Sequence, residues 1–298
     1  MENSSKIGIV TVTYNSGRVL SDFLRCIFSQ THANFILFAI DNASTDATMR
    51  LLRDCQDSRL VIVGNLDNRG VAEGNNQGIR AALEAACDSV LLINNDTEFE
   101  SDLLEKLFSG LARHKADMTC PKMMYFDEPQ RFWAAGGHFQ PWRGYRVSQR
   151  KDALDRGQYD QAEQVSYVPT CCVLIQASLF ARTGLMDPKY FVYVDDVDFM
   201  YRAQRVGARL MYLPECKLLH KVSSLAGGQL SSVEIRYSTR NRVYFLIKNL
   251  GFLKGLPWIV LYEAYLCARF LGFQDRVSMF CFRQRAFFAG LAMLVEKN

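Results

Sequence analysis

Residues 90–98 read VLLINNDTE, a four-residue apolar run that ends abruptly in five polar or acidic side chains. Such a run is too short for a helix and suits a strand buried on both faces of a parallel sheet. The polar residues behind it then stand at the strand's carboxyl end, where open α/β sheets bind ligands. Upstream, β-branched runs at 7–13, 35–40 and 60–64 alternate with amphipathic helical stretches at 19–29, 45–53 and 74–86. That alternation predicts an α/β fold with a mainly parallel sheet flanked by helices.

Downstream, Ser101 reads as the N-cap of a helix reaching Arg113, with Glu105 favourable to the helix dipole near the first turn. Periodicity fades over 125–164, where Trp133, Gly136, Gly137, Pro141, Trp142 and Gly144 accumulate, and a long loop over the sheet on the acceptor side is expected. Order resumes with an extended run at 165–175, a helix at 177–183, a strand at 209–213 and the strand-like 217–219 before His220. Residues 233–295 are helical in pattern and rich in Phe, Leu and Arg. The expected division is a catalytic domain over 1–228 and a helical region over 229–298. Within the latter, 256–273 is apolar, but Glu263 and Arg269 interrupt it, which disfavours a membrane span. An amphipathic helix lying on an anionic membrane surface, a cap packed on the core and an oligomer contact all remain open.

A net charge of +4 without a long run of like charges excludes the signature of a nucleic-acid-binding protein. The nine cysteines form neither CxxC pairs nor Cys/His clusters at zinc spacing, which fits a reduced cytoplasmic compartment. The short first apolar run is unlike a signal peptide, so the chain is expected to stay inside the cell.

Five places carry residue types suited to chemistry. Asp41, heading DNASTD at 41–46, can accept hydrogen bonds from a ribose or a base, or can form an Asx-type turn with Ser44 or Thr45 capping the next helix. NRGVAEGNN at 68–76 opens a helix, and its glycines, its backbone N–H groups and Arg69 suit an anion, as they suit a plain helix start. Asp96 and Glu98, two apart in an extended segment, offer oxygen ligands to Mg²⁺ or Mn²⁺, or are solvated in a turn. YVDDVDF at 193–199 places Asp195, Asp196 and Asp198 at a helix start, with Asp198 one turn before Arg202. His220 closes the α/β portion and matters only in company with these acids.

Taken in order, VTYN with Asn15, DNASTD, NRGVAEGNN, INNDTE at 93–98, YVDDVDF and LLH at 218–220 resemble family 2 glycosyltransferases over roughly residues 6 to 250. Tyr237 to Arg242 in the tail look most like the bacterial rhamnosyltransferase branch. The resemblance implies a GT-A, Rossmann-like fold, a nucleotide-diphosphate sugar donor of dTDP or UDP type and inversion at the anomeric carbon. It implies donor binding by Thr13, Asn15, Asp41, Arg69, Asn75, Asn95 and Asp96, a metal held by Asp96, Glu98 and His220, and Asp196 as the catalytic base. dTDP-rhamnose is the leading donor, and a glycan or lipid-linked compound is the leading acceptor. Asn94 and Asn95 depart from an all-acid metal triplet, so the diphosphate must itself supply ligands. Thr170, with Cys171 and Cys172 behind it, stands where relatives often have glycine, which bears on the acceptor pocket. Two rivals are a nucleotidyltransferase, which lacks its triphosphate loop here because 14–20 offers only Gly17 and Arg18, and a non-catalytic sugar-nucleotide binder, which would need no acid at 196.

Overall fold

The computed structural model describes residues 5–222 and 231–293. Its amino-terminal part keeps the expected rhythm: β1 (Ile7–Thr13), α1 (Leu20–Phe28), β2 (Phe35–Asp41), α2 (Thr48–Asp54), β3 (Leu60–Gly64), α3 (Gly70–Glu84) and β4 (Ser89–Ile93). There follow β5 (Thr97–Phe99), α4 (Leu103–His114), β6 (Met118–Tyr125), β7 (Phe132–Ala134), β8 (Gly137–Gln140), β9 (Arg146–Gln149), β10 (Glu163–Val165) and β11 (Cys172–Gln176). The chain continues through α5 (Ala177–Thr183), α6 (Asp195–Arg205) and β12 (Leu210–His220) to the helices α7 (Ser232–Leu250), α8 (Phe252–Leu271) and α9 (Val277–Ala292). The domain boundary expected at 228/229 lies outside the described residues.

One sheet carries the strands in the order β10-β12-β6-β11-β4-β1-β2-β3. β4, β1, β2 and β3 pair in parallel. β11 is antiparallel to both β4 and β6, so β6 points the same way as β4, and β12 runs parallel to β6. Along that path only β11 and the edge strand β10 are reversed. Every residue of β4 is buried, as the VLLI run demands, and helices must therefore cover both faces. α1 does so with Leu20, Phe23, Leu24 and Ile27 on one stripe. α3 comes closer still. A Cβ on Gly78 would lie 2.2 Å from Val10 Cγ1, and one on Gly74 would lie 2.9 Å from Val12, so two glycines one turn apart let this helix rest on β1.

Several boundaries differ from the sequence reading, each for a tertiary reason. α3 opens at Gly70 rather than 74, because the Phe191 carbonyl accepts the N–H groups of Val71 and Ala72 at 2.6 and 3.3 Å. α4 opens at Leu103 with Asp102 at its N-cap; the Ser101 carbonyl instead accepts the Thr31 N–H, since β5 draws the preceding residues into pairing with β12. The 125–164 stretch is not one loop. It holds β7, the β8–β9 hairpin and β10, each too short to show a period and each paired with a partner. The run at 165–175 divides between β10 at the sheet's edge and β11 at its centre. The segments around 209–213 and 217–220 join into β12 across a bulge: Leu213 pairs with Pro121 and Lys217 with Lys122, leaving 214–216 unmatched. The helical pattern of the tail holds, and no described helix is long and apolar enough to cross a membrane.

Gly78→Val forces α3 off β1 and is expected to cost about 3 kcal/mol. Urea unfolding should show a lower midpoint at unchanged slope; a midpoint equal to the parent's would contradict this packing.

Candidate active site

The carboxyl ends of β1 and β2 meet in a fixed polar knot. Asp41, 2% exposed, accepts Thr13 Oγ1–H at 2.8 Å and Ser44 Oγ–H at 2.6 Å on one oxygen, and the Ser44 N–H at 3.0 Å on the other. Asn15, at φ 52°, donates its N–H to Ser44 Oγ and accepts the Thr45 N–H on Oδ1, both at 2.9 Å. The Asx-type turn is thus present, with Thr13, Asn15 and Asp41 acting together in it. Neither Ser44 nor Thr45 caps α2: its first turn is held by Asp46, which accepts from the N–H and Oγ1 of Thr48.

Beyond β4 the chain turns sharply. Asn95 Nδ2 donates to the Val12 carbonyl at 2.7 Å, and Thr97 Oγ1 donates to the Asn94 carbonyl at 2.7 Å. This turn points Asp96 inward, 7% exposed, with Oδ1 3.0 Å from His220 Nε2. The strand pairing explains the meeting, because β5 sets Thr97 opposite His220. Trp133 packs edge-on against the imidazole at 4.2 Å, and the buried Nδ1 has no hydrogen-bond partner among the described residues. Glu98 does not join them. The turn ends the extended run that would have aligned it with Asp96, and its carboxylate meets Lys221 Nζ at 2.5 Å, with Arg25 at 3.9 Å. Among the described residues, no three His, Cys, Asp or Glu side chains converge as a ready metal cage.

In the glycine-spaced segment the first backbone donors already have partners within the fold. Gly70 stands at φ +80°, its N–H donates to Asn68 Oδ1, and the next two N–H groups are taken by Phe191. Arg69 reaches outward to Asp67 at 2.7 Å, while Asn75 is buried in the body of α3.

The acidic helix start is the most constrained part of the site. Phe191, Tyr193 and Val194 have φ of 64°, 62° and 68°. Such values cost about 1–3 kcal/mol each for residues with a Cβ, and most for a β-branched one. α7 offsets this cost. Asn241 Nδ2 donates to the carbonyls of Tyr190, Val192 and Tyr193 at 2.9, 2.8 and 2.7 Å. Arg240 Nη2 donates to those of Lys189 and Tyr190, each at 2.9 Å.

The three acids that follow have different tasks. Asp198, fully buried, accepts from Tyr190 OH, Arg202 Nε and Asn249 Nδ2 and is paired with Lys248 at 2.9 Å, so it anchors the helix; the Arg202 pairing matches the sequence spacing. Burial, then the charge of Asp196, pushes the Asp195 carboxyl well up. Asp196 is half-buried, and burial raises it too, against hydrogen bonds from Tyr167 OH at 2.6 Å and from the Val197 N–H at 2.7 Å. It is a carboxylate with a fixed orientation and an affinity for protons above that of an ordinary aspartate.

Residues 8–184 match the family model described as glycosyl transferase family 2. The chain belongs to that family. It is 20% identical to the dTDP-rhamnosyl transferase RfbF of Shigella flexneri, across 83% of this chain and 79% of that protein. It is 25% identical to the N-acetylglucosaminyl-diphospho-decaprenol L-rhamnosyltransferase of Mycobacterium tuberculosis, across 84% and 87%. These relatives put it near the rhamnosyltransferase branch. Among solved structures it resembles GalNAc-T7 with UDP, GalNAc and Mn²⁺ (TM-score 0.62, 14% identity, 81% of this chain) and S. aureus TarS residues 1–349 (0.58, 14%, 81%). The chain spans 49% and 65% of those two chains. The fold is GT-A.

In this family 2 glycosyltransferase, Tyr167, Trp133, Arg240 and Asn241 belong to the site although no role was assigned to them from sequence. Trp133 lies where periodicity gives no signal, and Tyr167 sits in an extended run that marks a strand and no chemistry; Arg240 and Asn241 stand in the 237–242 block, whose contacts only the fold reveals. Asn241→Ala removes the donor that the Val192 and Tyr193 carbonyls share and leaves the Tyr190 carbonyl to Arg240 alone, a loss of about 1–3 kcal/mol. Hydrogen exchange should then quicken at Asp195 and Asp196 and also at Val71 and Ala72, whose acceptor is Phe191, with β1 and β4 unchanged; uniform acceleration across the sheet would refute a local clamp.

Proposed function

We propose that this glycosyltransferase moves L-rhamnose from dTDP-rhamnose, with inversion, onto a hydroxyl of a lipid-linked glycan that serves cell-surface polysaccharide synthesis. The observation that carries the reading is Asp196: a half-buried carboxylate of raised proton affinity, oriented by Tyr167, at the start of a helix held in place by α7. The donor and acceptor classes are supported by what the two bacterial relatives are called, and a nucleoside diphosphate is supported by the UDP seen with GalNAc-T7 and TarS.

Asp196 accepts the proton of the acceptor hydroxyl as that oxygen attacks C1 from the face opposite the nucleotide, which a single inverting displacement requires. Its pKa suits the task, since a base poised nearer neutrality drives transfer better than an ordinary aspartate. The Thr13–Asn15–Asp41 knot gives the nucleoside a rigid polar floor, with Asn95 securing the next turn. Asp96 and His220 would hold a Mg²⁺ or Mn²⁺ ion through a carboxylate and an imidazole nitrogen; Glu98 does not fit, being paired with Lys221. The chemistry such an ion supplies is neutralisation of the departing diphosphate. The reading places the enzyme in the cytoplasm at the inner membrane face, with 1–228 as the catalytic part and the tail helices as the membrane or oligomer contact.

Asp196→Asn should lower rhamnosyl transfer by about 10²–10⁴-fold, while dTDP affinity, read by the Mn²⁺-dependent thermal shift, stays within about threefold. Turnover at the parent rate would remove Asp196 from the mechanism. The base works only when ionised, so the acid limb of kcat/KM should lie above the ordinary carboxylate range. The Tyr167 hydroxyl favours the ionised form, so Tyr167→Phe raises the pKa further and should shift that limb to higher pH. An unmoved limb would show that another group governs the profile.

A further inference from the structure

Three guanidinium groups gather beside the acid loop without a carboxylate. The turn at 141–144 and the start of β9 bring Arg143 and Arg146 against Arg242 of α7, and together with Trp142 and the α8 residues Trp258, Leu261, Tyr262 and Tyr265 they enclose a cavity of about 210 Å³. Gly144, at φ +63°, makes the closure possible: a Cβ there would lie 2.9 Å from Trp258 and 3.0 Å from Arg242 Nη2. Arg242 donates to the Gly144 carbonyl, Arg143 donates to Gln140 Oε1 at 3.2 Å, and Arg146 lies 5.7 Å from the Tyr265 ring centre. None of the three forms an ion pair with a carboxylate among the described residues. Burial, then the neighbouring charge of Arg146, brings Arg242 down to about 10. Arg242 is desolvated while Arg143 and Arg146 reach solvent, so an anion between them would offset the one buried charge and meet two exposed guanidinium groups, the side chains best shaped for phosphate oxygens.

The surroundings define what carries that anion. On one side a groove of about 180 Å³ shares Arg146 and Arg242 and is walled by Tyr145, Tyr167, Val194 and Val197. Tyr167 is the residue that holds Asp196, so one wall of the groove is in contact with the base. On the other side, α8 turns Leu253, Leu256, Val260, Leu261 and Leu271 to solvent, with Leu253 85% and Leu271 73% exposed. The groove and the anion site therefore share Arg146 and Arg242, with the partner of the base on the groove side and the apolar α8 residue Leu261 on the cavity side.

We propose that Arg143, Arg146 and Arg242 bind the diphosphate of the acceptor, a sugar diphosphate carried on a lipid chain, with the sugar in the Tyr167 groove and the chain along α8. This rests on the transferase reading above and gives its acceptor a site. Aromatic rings at the cavity mouth suit the first apolar units beyond the phosphate, while the exposed α8 leucines suit the remainder of the chain.

The probe is geranyl diphosphate, titrated calorimetrically into the full chain with dTDP saturating the donor site. The double variant Arg143→Gln/Arg146→Gln alters two exposed side chains and spares the fold, with dTDP affinity as the check. Wild-type binding despite dTDP, weakened about tenfold or more in the double variant, supports the assignment. Inorganic pyrophosphate should bind more weakly than geranyl diphosphate, because it lacks the apolar part. Equal affinity of both proteins for geranyl diphosphate, or its displacement by dTDP, would overturn the site. So would a variant that loses only sedimentation with phosphatidylglycerol vesicles, which would make the arginines a membrane headgroup contact. Hydrolysis of dTDP-rhamnose by the wild-type chain tests the transferase reading separately: its absence counts against that reading, whereas its presence beside unchanged probe affinity counts against the arginine site alone.

Discussion

One side-chain amide, that of Asn241, serves three main-chain carbonyls within five residues of the acid that opens α6. With Arg240 beside it on α7, it holds the loop at 190–194 with three residues at positive φ, although local conformational preference opposes each of them. The loop's Phe191 carbonyl in turn closes the first turn of α3, and α3 lies on β1 through Gly74 and Gly78. The constraint therefore runs from the tail, through the strained loop and the cap of α3, to the sheet whose carboxyl ends carry Asp41 and Asp96. The tail helix α7 is a structural member of the site.

The site separates charges that sequence alone groups together. Asp195, Asp196 and Asp198 are near neighbours, yet one is buried beside a like charge, one is half-exposed and oriented by a phenol, and one is surrounded by cations and amides. Asp96 and Glu98 separate in the same way, one toward His220 and the other toward Lys221. In both clusters the acid without a Lys or Arg partner remains available to chemistry, and the acid paired with Lys or Arg holds the framework. The cost of leaving a carboxylate without a countercharge is tolerated where the fold has already fixed its direction.

Most of the sheet is legible in the sequence because its strands are buried on both faces and alternate with amphipathic helices. The runs at 7–13, 35–40 and 90–93 carry that signal locally. Asp96, Asp196 and His220 are legible as acids and a histidine at element ends, and their order along the chain is specific. What is not legible depends on partners distant in sequence. The α3 start is set by Phe191, the Asp96 turn by Val12 and Asn94, and the small strands between 132 and 165 by edges they could not form alone. Glu98 shows the limit of spacing arguments: two residues apart means a shared side only while the chain stays extended, and a single Thr97 hydroxyl bond to Asn94 accompanies the end of that extension.

The bulge in β12 has its own consequence for how the chain can vary. Three residues, 214–216, stand between the two halves of the strand without a counterpart in β6, and His220 lies four positions beyond them. Strand side chains alternate faces, so a one-residue insertion or deletion in 214–216 would invert the parity of everything after it. The imidazole would then leave Asp96 for the opposite face, or the strand would lose its pairing with Thr97. The short segment between two strand-like runs thus acts as a counter: its length, more than its composition, decides whether the imidazole and the carboxylate meet.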